Sequence, residues 1–140
     1  MGIVQLIYVS TATRDMDDAE IRRVLDSSVT HNKEHDVTGM LLYSWGGFMQ
    51  VLEGTQSAVE ETMSRIYKDA RHHGIIVLSR EKIHAREFGH WSMGFRGIRA
   101  DDVESWPGYA PFFEYGFNAA LIGAQQGVAL EMLKAFARNN

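Results

Sequence analysis

The chain has 140 residues, 45% of them hydrophobic and 23% charged, with a formal net charge of −4. A chain of this length buries roughly two-thirds of its unfolded surface, so it reads as an ordinary folded globule, and its negative charge argues against a nucleic-acid footprint. There is no cysteine, which excludes disulfides, thiolate metal sites, and cysteine nucleophiles or photoadducts.

The first element, IVQLIYVS at residues 3–10, is β-branched and aromatic and predicts a strand. It is too short for a signal-peptide core and has no basic segment before it. No apolar run in the chain approaches the ~20 residues of a membrane span, so a cytoplasmic protein without membrane contact is expected. Asp15 to Asp18 supply an acidic helix start. The helix runs to about Glu34, with Ile21, Val24, Leu25, Ser28 and Asn32 on one face. TGMLLYSW and FMQVLEG predict two strands joined through Gly46-Gly47 as a hairpin. A second helix is expected from about Thr55 to Ala70, with Val59, Met63, Ile66 and Ala70 as its stripe and Ser57 with Glu60 as a capping box. GIIVLSREKI and FGHWSMGFRGI predict two more strands. The pattern breaks at ESWPGYAP. A last helix from about Gly116 to Ala137 then carries Phe117, Leu121, Ala124, Val128, Met132 and Phe136.

This order predicts an α+β fold, a ferredoxin-like β-α-β-β-α-β-β sandwich with a C-terminal helical extension. Residues 1–98 form the expected functional domain. Residues 99–140 form an extension that packs on the open face of the sheet or on another chain, and they leave no room for an attached effector domain.

The informative residues are polar ones that share a direction with core. Ser28 and Asn32 lie within the Ile21/Leu25 stripe, Tyr8 shares parity with Val4 and Leu6, and Gln50 shares parity with Phe48 and Leu52. A buried polar group without a partner costs about 1–3 kcal/mol, so these groups need each other, water or a ligand. A structural hydrogen-bond network and a ligand slot both satisfy the pattern. Tyr, Gln and Asn converging between two helices suit a planar heterocycle, whose ring N–H and C=O edges amides can read.

A competing reading sits at HNKEH, residues 31–35, which matches the H-x-x-E-H pattern of some zinc peptidases. Two histidines four apart share a helix face and can grip one metal. Here His31 falls at the edge of the inward stripe, Asn32 falls near its centre, and the helix is ending at His35. No metal is expected.

The segments LIYVS, SSVTHNKEHDVTGMLLY, GGFMQVLEG, RIYKDARHH and HWSMGF stand in an order and spacing that resemble the BLUF domains, blue-light sensors that use FAD. The resemblance covers about Ile3 to Ile98. It implies a photoreceptor with non-covalently bound flavin, and not an enzyme. It implies that Tyr8 donates an electron to the excited flavin and that Gln50 stands between that phenol and flavin N5/O4. Rotation or tautomerisation of the Gln50 amide would then shift absorption to the red and relax in the dark. By the same resemblance Asn32 pairs with the polar ring edge, His31 lies beside the ring, and Ser28 and Ile66 touch it. Asp69, Arg71 and His72 meet the pyrimidine end and ribityl chain, and Trp91 and Met93 form a relay pair on the last strand. Trp91, Met93 and Phe95 share strand parity, so one common face is expected. The implied partners are flavin, further copies of the chain as a homo-oligomer, and a downstream protein. A flavin-dependent oxidoreductase is the alternative, but no G-x-G-x-x-G follows a strand. A ferredoxin-like module for a colourless ligand or for dimerisation is the third reading.

Overall fold

The computed structural model describes residues 2–14, 16–98, 100–105, 108–113, 117–125 and 127–138. The β-branched N-terminal run forms β1, Ile3–Ala12. Helix α1, Asp18–His35, starts at an Asp17 cap that accepts from the Glu20 backbone N–H (2.8 Å), and the Glu20 side chain reaches back to complete a capping box. Strands β2, Thr38–Ser44, and β3, Gly47–Gly54, form the expected hairpin. Its two-residue turn is Trp45-Gly46, one residue earlier than the glycine pair suggested, with φ of 41° and 82°. Positive φ at both central residues is what a tight hairpin turn of this hand requires.

Helix α2, Gln56–Lys68, is capped by Thr55, which accepts from the Ala58 N–H (3.2 Å). The expected Ser57–Glu60 capping box does not form. The helix begins two residues earlier, and Glu60 pairs instead with Arg80. Ala70, assigned to the stripe, lies beyond the helix and is exposed. Strand β4, His72–Ile83, starts before the predicted run, and β5 is only Gly94–Gly97. Residues 88–93, expected as strand, leave the sheet.

The sheet order is β4-β1-β3-β2-β5, antiparallel throughout except for the parallel β2–β5 pair. The β-α-β-β-α-β core with that order is ferredoxin-like. Paired residues point to the same face, so the registers sort the strands cleanly. Val4, Leu6, Tyr8, Leu41, Phe48 and Leu52 face the helices α1 and α2. Ile7, Val9, Met40, Leu42, Met49 and Val51 face the other way.

That second face is sealed by the C-terminal extension, comprising α3, Ala100–Ser105, a 3-10 turn at Ala110–Phe113, α4, Ala119–Ala124, and α5, Val128–Arg138. The single predicted helix is therefore two. Gln125 caps α4, and Gly127, with φ of 84°, takes the left-handed conformation just before α5. The break changes which residues face the core. Ile122 is buried while Leu121, one of the predicted apolar positions, is 40% exposed; Val128, Met132, Leu133 and Phe136 pack on the sheet. The predicted start at Gly116 lies outside the described residues.

Candidate functional site

Tyr8 on β1 and Gln50 on β3 are direct cross-strand partners on the helix face. That register brings the phenol and the amide together with no loop between them. The Tyr8 hydroxyl donates to Gln50 Oε1, and Gln50 Nε2 donates to Met93 Sδ at 3.3 Å. All three side chains are buried. Burial pushes the Tyr8 phenol well above its ordinary value, and the nearby Asp69 charge adds to this, so it holds its proton. The amide is held at both ends, its oxygen by the phenol and its nitrogen by the sulfur.

Asn32, 1% exposed, donates from Nδ2 to the Ser92 carbonyl (2.8 Å), which ties the last turn of α1 to the segment before β5. His31 Nε2 meets Thr62 Oγ1 at 3.1 Å. The Thr62 hydroxyl donates to the Ala58 carbonyl (2.8 Å), so the imidazole supplies the proton to Thr62. Burial, then the Arg65 charge, pulls the His31 pKa down and keeps the ring neutral. His35 stacks on His31 with centroids 4.1 Å apart, but its Nδ1 faces the His31 carbonyl (2.8 Å) and its Nε2 faces Glu61 (3.3 Å). The two rings thus address different partners and form no pincer. Among the described residues no group of three His, Asp or Glu gathers as a metal site.

At the far end, Arg71 grips both oxygens of Asp69, with Nε to Oδ1 at 2.8 Å and a terminal nitrogen to Oδ2 at 2.5 Å. This fork holds the Asp69 carboxyl below its usual range. His72 donates from Nε2 to the Ile66 carbonyl (2.9 Å), so Nδ1 accepts from the Ser10 hydroxyl (2.9 Å). Burial lowers its pKa too. The Ser28 hydroxyl is turned to the Val24 carbonyl (2.9 Å).

These groups surround two adjoining cavities of about 50 Å³ each between α1, α2 and the sheet. Ser28, Gln50, Ile66, Asp69 and Arg71 border both, so the two are one slot. Tyr8 and His72 line the first, and His31 and Asn32 line the second. The slot as it stands is narrower than a typical small-ligand pocket, so α1 and α2 must part to admit a ring. Its apolar members Val24 and Ile66 come from the two helices, and amides, hydroxyls and the Asp69–Arg71 pair supply its polar rim. Along α1 the apolar stripe of Ile21, Val24 and Leu25 is only half-buried, while His31 and Asn32 are the buried residues. An apolar helix face left part-covered beside a polar rim fits a planar ring system with a polar edge.

The sequence-predicted residues converge with one exception. Met93 packs in the core on the slot's side of the sheet, but Trp91 packs on the opposite side, its ring 6.4 Å from that of Phe88. The shared-face expectation fails because strand alternation does not apply outside the strand, and Trp91 and Met93 precede β5. Two partners were missed. Thr62 lies beside the Val59/Met63 stripe, where a polar residue on a core face was the available signal. Arg65 borders the slot from an exposed position, and nothing in the sequence marks it.

The comparisons agree with this geometry. Residues 3–94 match the model of the family described as BLUF, sensors of blue-light using FAD. The blue light- and temperature-regulated antirepressor BluF of Escherichia coli (strain K12) is 33% identical over 104 residues, 72% of this chain and 26% of that protein. The dark-state structure of BlrB, a BLUF protein, superposes with a TM-score of 0.71 at 31% identity, covering 79% of this chain and 83% of BlrB. The photo-activated state of BlsA gives 0.77 at 27% identity over 95% of this chain and 92% of BlsA. The chain spans about a tenth to a quarter of the length of the curated relatives it matches. With the family model covering most of the chain, and the slot built on the strands and helices it spans, the chain belongs to the BLUF family of blue-light flavin sensors.

Proposed function

We propose that the slot holds FAD non-covalently and that Tyr8 and Gln50 are the light-operated switch beneath it. The observation that carries this is the buried chain from Tyr8 through Gln50 to Met93, in which one amide joins a phenol to a weak sulfur acceptor. Bound flavin supplies the absorption of blue light and, once excited, an acceptor for one electron. Tyr8 gives up that electron. Its phenol then becomes a strong acid and passes its proton to Gln50 Oε1, the atom it already donates to. The amide of Gln50 would then turn or tautomerise, and the electron and proton would return to Tyr8, so that no net redox change is left. In a turned amide Nε2 faces the Tyr8 oxygen and Oε1 faces the Met93 sulfur, which has no proton to give. The turned state therefore lacks the Met93 bond, so it relaxes in the dark, and it loosens the residue that leads into β5.

In the same reading Asn32 and His31 read the polar edge, Ser28 and Ile66 contact the ring, and Asp69, Arg71 and His72 border its far end. Met93 relays the change, and Trp91 receives it from the other side of the sheet. The relative named as an antirepressor supports an output passed by contact with a protein partner. We assign this chain a sensory and not a catalytic role in the cytoplasm, acting on a downstream protein and as a homo-oligomer. Among the described residues no helix is long and apolar enough to cross a membrane.

The test is spectroscopic. Protein reconstituted with FAD should be yellow, and blue light should shift its flavin band to the red reversibly. Bleaching under light would indicate a flavin-reducing enzyme, and failure to take up flavin would leave a colourless binding module. Chromatography of the extracted pigment distinguishes FAD from FMN.

A further inference from the structure

Strand β3 carries a second buried polar group three residues beyond Gln50. Glu53 is fully buried and shares parity with Met49 and Val51, so it points away from the slot. Its Oε2 accepts from the Gln5 amide (2.9 Å) and the Glu87 backbone N–H (2.9 Å), and its Oε1 accepts from the Phe88 backbone N–H (2.8 Å). The Glu53 carbonyl accepts from Arg86 (2.9 Å), whose guanidinium also reaches the Thr38 hydroxyl (2.9 Å) and the Asp36 carbonyl (2.8 Å). Residues 86–88 are thereby clamped to β3 and to the corner between α1 and β2.

A few residues later the same segment supplies partners to two of the residues that line the slot. The Ser92 carbonyl takes the Asn32 amide at 2.8 Å, and the Met93 sulfur takes the Gln50 amide at 3.3 Å. Between them and the clamp, the Trp91 carbonyl accepts from the Gly39 N–H (3.1 Å). A segment this short transmits a shift at its start to its end, and hydrogen bonds tolerate only a few tenths of an ångström.

We propose that Glu53 and Arg86 are a positioning pair for the light switch. They set where Ser92 and Met93 stand against Asn32 and Gln50, and so set the lifetime of the lit state and not its formation. The proposal rests on the role given to Gln50 above. Glu53 suits the task because both its oxygens receive N–H donors. A glutamine of the same shape would present its own NH2 to one of them.

The experiment follows dark recovery of the red-shifted band in FAD-loaded Glu53→Gln and Arg86→Ala. Both should keep the dark spectrum and the full shift. Recovery should slow at least threefold, because the returning amide meets a displaced sulfur. Arg86 is half-buried, and its removal leaves the Glu53 carboxylate bonded, so Arg86→Ala decides the matter if Glu53→Gln fails to fold. Val59→Ala, which loosens the core under α2 away from the segment, should recover within twofold of the wild-type rate. Wild-type recovery in the folded variant, with faster amide exchange at residues 87 and 88, overturns the proposal alone. A wild type with no red shift overturns the Gln50 reading, and this one with it.

Discussion

The two faces of the sheet are built from the same strands and differ by one residue of parity. On the helix face, β1 and β3 contribute Tyr8 and Gln50 among Leu6, Phe48 and Leu52. On the other face the neighbouring residues are Ile7, Met49 and Val51, closed over by Met132, Leu133 and Phe136 of α5. One face stays partly open along α1, with a slot and a bonded polar chain; the other is mostly apolar, the buried Gln5–Glu53 pair apart. A sheet can thus keep a recognition surface and a load of hydrophobic burial on the same strands, because alternation holds them apart. The segment 88–93 touches both, since Phe88 and Trp91 pack on the second face and Met93 on the first.

If the second face is mainly structural, breaking it should cost stability and spare the photochemistry. Phe136 is fully buried against the sheet. Phe136→Ala should lower unfolding free energy by about 3–5 kcal/mol, read by denaturant melts, while the size of the red shift persists in the folded fraction. A lost shift at full flavin occupancy would mean that the two faces are not separable.

The converse change is smaller. Asn32→Ala should weaken flavin binding by about 1–3 kcal/mol through loss of a buried amide, measured by flavin titration, with α5 protected from exchange as in the wild type. Unchanged affinity would make Asn32 a purely structural tie to Ser92.

A milder separation comes from pH. His31 and His72 both border the slot, and burial holds both pKa values below the ordinary 6.5. The unfolded chain then takes up protons first as pH falls. Their contribution to stability is full above about 6.5 and declines as pH drops toward the folded values. Exchange protection around α1 and α2 should fall between pH 7 and 5 before that of α5 does. Equal loss in both regions would contradict the assignment.

Much of this was legible beforehand because the elements that build the slot obey simple periods. Parity alone put Tyr8 and Gln50 on the core face, and the α1 stripe picked out Ser28 and Asn32. The pattern failed where the period stopped. Trp91 was assigned the face of Met93 by strand alternation, but residues 88–93 leave the sheet, held there by Glu53 through the Phe88 backbone N–H. The long C-terminal stripe concealed the break between α4 and α5, and on α4 it is Ile122 that is buried and Leu121 that is exposed. Glu53 was itself visible as a charge sharing parity with Met49 and Val51. Its partners, two backbone N–H groups some 34 residues later, leave no side-chain signal in the sequence.

The central claim is that the Tyr8–Gln50 pair, and not the slot as a whole, makes the light response. The most direct measurement is the light-minus-dark absorption spectrum of FAD-loaded Tyr8→Phe beside Gln50→Leu. Both replacements keep the approximate volume and remove the hydrogen-bonding group. The account predicts flavin bound in both and no reversible red shift in either. A full-size red shift in either variant, at wild-type flavin occupancy, would contradict it.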